Sequence, residues 1–111
     1  MNDFGAPELS PTDVKARLDR KDGTMLLDIR EYDELAMAAI DGAVHIPMGE
    51  VGVRMKEIPK DRDVIVICHY GGRSAMVTMQ LRSRGYTRVW NMSGGIDEWS
   101  LRVDSSVPQY E

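Results

Sequence analysis

A continuous apolar run, Val64–Ile67, leads directly into a glycine-rich turn and then into a segment with helical spacing. Similar short apolar runs alternate with helical segments along the whole chain of 111 residues. This alternation is typical of α/β proteins that contain a parallel sheet. The length suits one domain, and the hydrophobic (42%) and charged (29%) fractions are those of an ordinary globular protein. The sequence therefore predicts a single α/β domain over residues 1–111.

Five short strands and about five helices can be placed along the chain. The strands are predicted over residues 7–9, 25–29, 43–46, 63–67 and 88–92. The helices are predicted from Ser10 as N-cap toward a stop at Gly23, and over residues 31–39, 49–58, 72–84 and 94–101. The tail, residues 103–111, has no periodicity and is predicted to lie irregularly over the surface.

Charge and cysteine content narrow the functional classes. The net charge of −4 without a basic block argues against a nucleic-acid partner. No apolar run approaches the roughly 20 residues of a membrane span, and the first residues do not resemble a signal peptide. A single cysteine forms no internal disulfide, so the cytoplasm is the expected location. Two histidines and one cysteine without ligand spacing predict no metal site.

The only cysteine stands where the strongest predicted strand ends. It opens a turn formed by Cys68, His69, Tyr70, Gly71, Gly72, Arg73 and Ser74. In open parallel sheets, ligands bind beyond the carboxyl ends of the strands. A turn that precedes a helix directs backbone N–H groups toward one point and stabilises an anion there. Because the thiolate is the reactive form of cysteine, this placement predicts a nucleophile rather than a buried structural thiol.

The neighbours of the cysteine each allow more than one role. Arg73 opposes the helix dipole in the first turn, which requires a bound anion or a structural ion pair. Ser74 is either a helix-start residue or a hydroxyl contact to sulfur. His69 could be a general base, although a position at the substrate mouth is favoured, and Tyr70 is expected at the pocket rim. Gly71 and its neighbour glycine supply backbone freedom in any of these cases.

The pattern Cys68-x-x-Gly71-x-Arg73-Ser74 resembles the active-site loop of rhodanese-type sulfurtransferases. Four further segments resemble family motifs in the right order, and they lie at residues 26–31, 41–47, 85–86 and 94–99. The resemblance covers roughly residues 7 to 101. One departure is the sequence of residues 38–40, Ala-Ala-Ile, where the family often has Gly-His-Ile.

This resemblance implies a rhodanese-like fold, with a five-stranded, mainly parallel sheet flanked by helices on both faces. It implies double displacement through a Cys68 persulfide, held by the loop of residues 69–74, with no other cofactor. The sulfane sulfur would come from thiosulfate or a persulfide donor and pass to cyanide, a thiol or a sulfur-carrier protein. Asp28 and Arg30 would be a supporting pair beside the loop, and His45 a non-catalytic histidine.

Other functions remain open at this point. Cysteine phosphatases place five residues between cysteine and arginine, whereas only four separate Cys68 from Arg73, which favours a bowl for one sulfur atom. A sulfur-relay module acting with a cysteine desulfurase or a sulfur-carrier protein is a second possibility. The tail is similar to tails of bacterial rhodanese domains, some of them fused to adenylating enzymes. A catalytically silent binding domain is a third, but the complete Cys-Gly-Arg-Ser set argues against it.

Overall fold

The computed structural model describes residues 2–111, which form five strands and four α-helices around one sheet. The strands are β1 (Glu8–Leu9), β2 (Met25–Asp28), β3 (Val44–His45), β4 (Val64–Ile67) and β5 (Val89–Met92). The helices are α1 (Pro11–Asp19), α2 (Tyr32–Met37), α3 (Gly72–Ser83) and α4 (Gly95–Arg102). The sheet order is β1-β5-β4-β2-β3, and all neighbouring strands run parallel.

Strand β4 lies at the centre of the sheet, between β2 and β5. Its side chains alternate between two separate apolar clusters: Val64 and Val66 belong to one, and Ile65 and Ile67 to the other. All four residues are completely buried. The continuous apolar run in the sequence therefore reflects a strand that is covered on both faces.

Helices cover both faces, as predicted. Val77 and Leu81 of α3 pack into the cluster on one face. Val14 of α1, with Ile96 and Trp99 of α4, packs into the cluster on the other. This arrangement confirms the predicted rhodanese-like architecture and fixes the carboxyl end of β4 between two helix layers.

The helix starts follow their capping signals. The Ser10 hydroxyl accepts a hydrogen bond from the Asp13 amide (3.1 Å), and Pro11 is the first residue of α1. Helix α2 begins with a reciprocal capping box between Glu31 and Glu34. This helix is shorter at both ends than the predicted span of residues 31–39.

The predicted helix over residues 49–58 is wrong. Two 3-10 turns, Met48–Glu50 and Met55–Glu57, occupy this part of the chain instead. Gly52 lowers helix propensity at the centre of the segment. Val51, Met55 and Ile58 pack into the core at the spacing of a helix face, so the pattern of burial does not reveal the break.

The tail after α4 contains no helix or strand, in agreement with its lack of periodicity. It is nevertheless anchored, because Val107 is buried and the Ser100 hydroxyl donates to the Val107 carbonyl (2.5 Å). Tyr110 near its end packs against the second cluster. No helix within residues 2–111 has the length and apolarity needed to cross a membrane.

Candidate active site

Cys68 follows the last residue of the central strand, and its side chain is almost completely buried. Helix α3 begins four residues later, at Gly72. Gly71 is the helix N-cap with φ of 104°, a left-handed conformation that glycine adopts without strain. The loop therefore turns back over the sulfur immediately after leaving the sheet.

The cysteine sulfur is surrounded by hydrogen-bond donors. The Gly71 amide donates to the Sγ atom at 3.1 Å and the Ser74 amide at 3.3 Å. Both amides belong to the N-terminal end of α3, where the helix dipole also favours negative charge. The structure thus brings together the anion-stabilising turn that the sequence predicted, with two amides that reach the sulfur itself.

A buried asparagine completes this arrangement. The Ser74 hydroxyl lies 3.2 Å from Cys68 Sγ and donates to Asn91 Oδ1 at 2.5 Å. Asn91 Nδ2 donates in turn to the Gly71 carbonyl (3.2 Å). With its proton directed at Asn91, the Ser74 oxygen is free to accept the S–H of a neutral thiol. We call Cys68, Gly71, Ser74 and Asn91 the sulfur cradle.

Sequence reasoning did not single out Asn91. The available signal was a polar residue inside the otherwise apolar strand β5, where Asn91 is 1% exposed. A buried amide requires hydrogen-bond partners, and here they include the two loop residues that hold the sulfur, besides the Glu8 carboxylate. Ser74, by contrast, is confirmed as a first-turn helix residue that also contacts the sulfur.

Helix α4 holds the carbonyl groups of the loop. The Ile96 amide donates to the Cys68 carbonyl (2.9 Å), and the Asp97 amide donates to the His69 carbonyl (3.1 Å). Gly95 allows this approach, because a Cβ atom there would come closer than 3.0 Å to both carbonyls. With these carbonyls bonded to α4, the loop leaves its N–H groups for the sulfur.

Arg73 is bound by a carboxylate from another part of the chain. Its Nη1 and Nη2 atoms donate to Glu34 Oε1 (2.7 Å) and Oε2 (2.9 Å). The guanidinium holds the pKa of Glu34 at about 2, so this carboxyl is ionised at neutral pH. Of the two roles open for Arg73, the structure shows the ion pair, and its side chain remains 36% exposed at the mouth of the site.

Tyr110 of the irregular tail joins this ion pair. Its hydroxyl donates to Glu34 Oε2 (2.7 Å) and accepts from Arg30 Nη1 (3.0 Å). Burial raises the pKa of Tyr110 to about 12, so the phenol keeps its proton. We call Arg30, Glu34, Arg73 and Tyr110 the mouth network. Sequence reasoning missed Glu34 and Tyr110, although an aromatic residue in a polar tail was a visible signal.

Asp28 and Arg30 form the predicted pair, and Arg30 also connects it to Tyr110 of the mouth network. Arg30 Nη2 donates to Asp28 Oδ2 at 2.7 Å, and both side chains are essentially inaccessible. Arg30 also donates to the Ala38 carbonyl (2.8 Å). His45 Nε2 lies 2.6 Å from the Arg30 carbonyl, which matches its expected role as a non-catalytic histidine.

His69 points toward the tail. Its ring stacks between those of Tyr70 and Tyr110, with both pairs of ring centres 3.8 Å apart, and its Nε2 lies 2.7 Å from the Tyr110 carbonyl. This engagement disfavours a general base at the sulfur and makes His69 a wall of the mouth. Tyr70 is 58% exposed, as expected for a rim residue.

A cavity of about 310 Å³ opens beside the loop. Its walls include Phe4, Tyr70, Gly71, Gly72 and Asn91. A Cβ atom at Gly72 would have no neighbour within 4 Å, so this part of the loop is open. Within residues 2–111, no group of three or more His, Cys, Asp or Glu side chains could hold a metal ion.

Comparison with protein families and curated proteins gives a consistent result. The model of the rhodanese-like domain matches residues 10–102. A protein of Allochromatium vinosum named sulfurtransferase is 40% identical over 93 residues, which are 84% of this chain and 87% of that protein. The putative sulfur carrier protein YrkF of Bacillus subtilis is 35% identical over 93% of this chain, but the chain spans only 56% of its length.

Solved structures share the same fold. The reduced CoADR-RHD protein of Bacillus anthracis is similar with a TM-score of 0.84 and 27% identity, over 94% of this chain and 18% of that one. A thiosulfate sulfurtransferase of Pseudomonas aeruginosa matches with a TM-score of 0.79 and 31% identity, over 86% of this chain and 19% of that one. The human single-domain sulfurtransferase TSTD1 matches with a TM-score of 0.76 and 26% identity, over 88% of this chain and 98% of that one.

Proposed function

Because the chain belongs to the rhodanese-like domain family, we propose that it is a sulfurtransferase that carries sulfane sulfur as a persulfide on Cys68. Relatives named sulfurtransferase support the general role. The observation that carries the specific role is the contact of Cys68 Sγ with the Gly71 and Ser74 amides. These two donors stabilise negative charge on sulfur in a buried position.

The proposed cycle is a double displacement. The Cys68 thiolate attacks the sulfane sulfur of the donor, a new S–S bond forms, and the donor leaves with the electron pair of the broken bond. A nucleophilic acceptor then attacks the outer sulfur of the persulfide, and Cys68 departs as the thiolate. The cycle needs no oxidant, reductant or cofactor, because each step exchanges one bond to sulfur for another.

The cradle suits both chemical states of the cysteine. The thiolate and the terminal sulfur of the persulfide are both anions, so the same amides can stabilise each in turn. A loop with four residues between Cys68 and Arg73 forms a bowl for a single sulfur atom. Phosphatase or arsenate chemistry is the less favoured alternative, since it requires donors around a tetrahedral anion.

The donor in this proposal is thiosulfate or a persulfide, and the acceptor is cyanide, a thiol or a sulfur-carrier protein. A relay between a cysteine desulfurase and a sulfur carrier is a second form of the same function. The names of two relatives, a putative sulfur carrier protein and an adenylyltransferase and sulfurtransferase, support it. A reducing compartment such as the cytoplasm suits a cycle that depends on a free thiol.

The test is sulfur loading measured by intact-protein mass spectrometry. After incubation with thiosulfate or with a low-molecular-weight persulfide, the protein should gain the mass of one sulfur atom, and cyanide should remove it. The variant Cys68→Ser should gain nothing, whereas Ser83→Ala, at the exposed far end of α3, should load like the unmodified protein. Absence of any adduct with both donors, or an adduct that survives in Cys68→Ser, would exclude the proposed function.

A further inference from the structure

The ion pair between Arg73 and Glu34 in the mouth network bears on which sulfur donors the site favours. We propose that Glu34, held by Tyr110, neutralises Arg73 at the entrance, so that the site favours persulfides over the dianion thiosulfate. The inference rests on the proposed persulfide chemistry and specifies its substrate class. Glu34 and Tyr110 then act as specificity-determining residues, although neither contacts the cysteine sulfur.

Arg73 is already paired with a carboxylate. Both of its terminal nitrogens face the two oxygens of Glu34 in a bidentate pair. Such pairs are geometrically specific and stronger than single neutral hydrogen bonds. The guanidinium charge is therefore offset by a carboxylate before any donor arrives.

Glu34 is held in place by several hydrogen bonds. Its carboxylate accepts from Arg73, from the Tyr110 hydroxyl (2.7 Å) and from the Glu31 amide (3.1 Å). Its side chain is only 14% exposed. A carboxylate held from three directions does not readily swing aside, so an anionic donor would have to compete with it for Arg73.

The charges around Arg73 are either paired or negative. Arg30, the other cation of the mouth network, is paired with Asp28 and has no accessible surface. A cavity of about 300 Å³ at the tail side of the mouth is lined by Tyr70, Tyr110 and the acidic residues Asp97 and Glu111. The mouth network thus holds paired cations and has carboxylates beside it at Asp97 and Glu111, which disfavours a dianion.

The two donors react by the same bond changes but differ in charge. With thiosulfate, the Cys68 thiolate bonds to the sulfane sulfur, the S–S bond of thiosulfate breaks, and sulfite leaves with its electron pair. With a persulfide, the same attack releases a thiolate. A persulfide is uncharged or singly charged at its sulfur atoms, so it gains less from a free guanidinium and loses less when that guanidinium is paired.

The experiment measures single-turnover loading of Cys68 by both donors. Second-order rate constants for thiosulfate and for 2-hydroxyethyl persulfide, which has no charge beyond its persulfide group, are determined by intact mass in the unmodified protein, Glu34→Gln and Tyr110→Phe. The thiosulfate-to-persulfide ratio should rise about tenfold in Glu34→Gln, because the unpaired Arg73 guanidinium then stabilises the transition state of the dianionic donor. In Tyr110→Phe, which keeps the ring against His69, it should rise about two- to threefold, since one hydrogen bond to Glu34 is lost.

The matched control is Asp33→Asn on the same helix. Asp33 is exposed and adjacent in sequence to Glu34, so this variant removes the same charge from α2 without touching the bidentate pair. Its donor ratio should stay within twofold of the unmodified protein. An equal rise in Asp33→Asn would show that general charge, not the pair, sets the ratio, and would overturn the inference.

The remaining outcomes separate the two proposals. If both donors load Cys68 and the ratio does not change in Glu34→Gln, the inference is wrong and the proposed function stands. A purely structural Glu34 would give this result, because both rate constants would fall together. If neither donor loads the unmodified protein, the proposed function fails and the inference falls with it.

Discussion

The two sides of the active-site loop are built in different ways. The sulfur cradle consists of backbone amides and neutral side chains, and its members lie within about 20 residues of Gly71 in sequence. The mouth network consists of charged side chains and a phenol, and the hydrogen bonds between its side chains join residues 39 to 80 apart in sequence. In the proposed cycle the cradle would therefore serve any sulfur anion on Cys68, whereas the network would discriminate among molecules that approach it.

Burial sharpens this difference. Cys68, Ser74 and Asn91 have almost no exposed surface, so their hydrogen bonds act without competition from water. Arg73 is partly exposed, and solvent and salt reduce the energy of its ion pair. Perturbing the cradle should consequently damage fold and chemistry together, whereas perturbing the network should change selectivity at small cost in stability.

The largest expected effect comes from Gly95→Ala, which disturbs the sulfur cradle from the side of helix α4. A Cβ atom at residue 95 would collide with the Cys68 and His69 carbonyls, and φ there is +61°. Left-handed backbone costs about 1–2 kcal/mol and overpacking about 1–3 kcal/mol. We expect the free energy of unfolding, measured with urea, to fall by about 2–5 kcal/mol. Gly49→Ala, which has no atom within 4 Å of its added Cβ, should change it by less than about 0.5 kcal/mol; similar losses in both variants would contradict the packing argument.

A smaller effect is expected from Asn91→Ala, which removes the cradle's buried amide. The Ser74 hydroxyl loses its acceptor, which costs about 1–3 kcal/mol for an unsatisfied buried group, and the Gly71 carbonyl keeps only the Ala75 amide as donor. Sulfur loading of Cys68 should slow by about tenfold, because the hydroxyl and the Gly71 turn are no longer held. Loading rates by mass and stability by urea unfolding test this, with Ser83→Ala at the exposed far end of α3 as the control. Full loading activity in Asn91→Ala would mean that the two amides suffice without support.

The smallest effect is expected in the mouth network, and it depends on pH. The pKa of Glu34 is lowered from 4.5 to about 2 by Arg73, so its ion pair stabilises the fold fully above pH 4.5. That contribution is lost as the pH falls toward 2. Glu34→Gln should therefore be less stable by about 1–2 kcal/mol at pH 7, a value reduced for the partial exposure of Arg73.

Urea unfolding at pH 7, 4 and 2.5 measures this pH dependence. The difference between Glu34→Gln and the unmodified protein should shrink at pH 2.5. The double variant Glu34→Gln/Arg73→Met should be little less stable than Glu34→Gln, since the pair is already broken. An equal stability difference at pH 7 and pH 2.5 would show that the ion pair does not contribute to folding.

The sequence could predict those features of the site that arise from residues close together in the chain. The loop was predictable because its residues are contiguous and their chemistry follows from a strand, a turn and a helix in succession. The Asp28–Arg30 pair was likewise predictable from two residues in one motif. Glu34 and Tyr110 were missed, because only the folded chain brings α2 and the tail to Arg73.

The wrong helix over residues 49–58 has a different cause. Its apolar residues suited a helix face, but Gly52 disfavours a helix at the centre of the segment, and two 3-10 turns form instead. The Tyr86 hydroxyl donates to the carbonyls of Met55 and Ile58 (2.9 and 2.8 Å), which fixes this conformation from a distant position. Such a contact leaves no local signal in the segment it shapes.

The hydrogen bonds from Ile96 and Asp97 to the loop carbonyls have a consequence for the newly made chain. A ribosome synthesises Cys68 well before these two residues, and the helix that holds the loop folds only after they emerge. Until then, the nascent polypeptide carries an ordinary, solvent-exposed thiol with no oriented amides around it. The amide environment of Cys68 is thus a property of the finished tertiary structure, and the time at which the proposed reactivity appears during refolding would report when helix α4 docks.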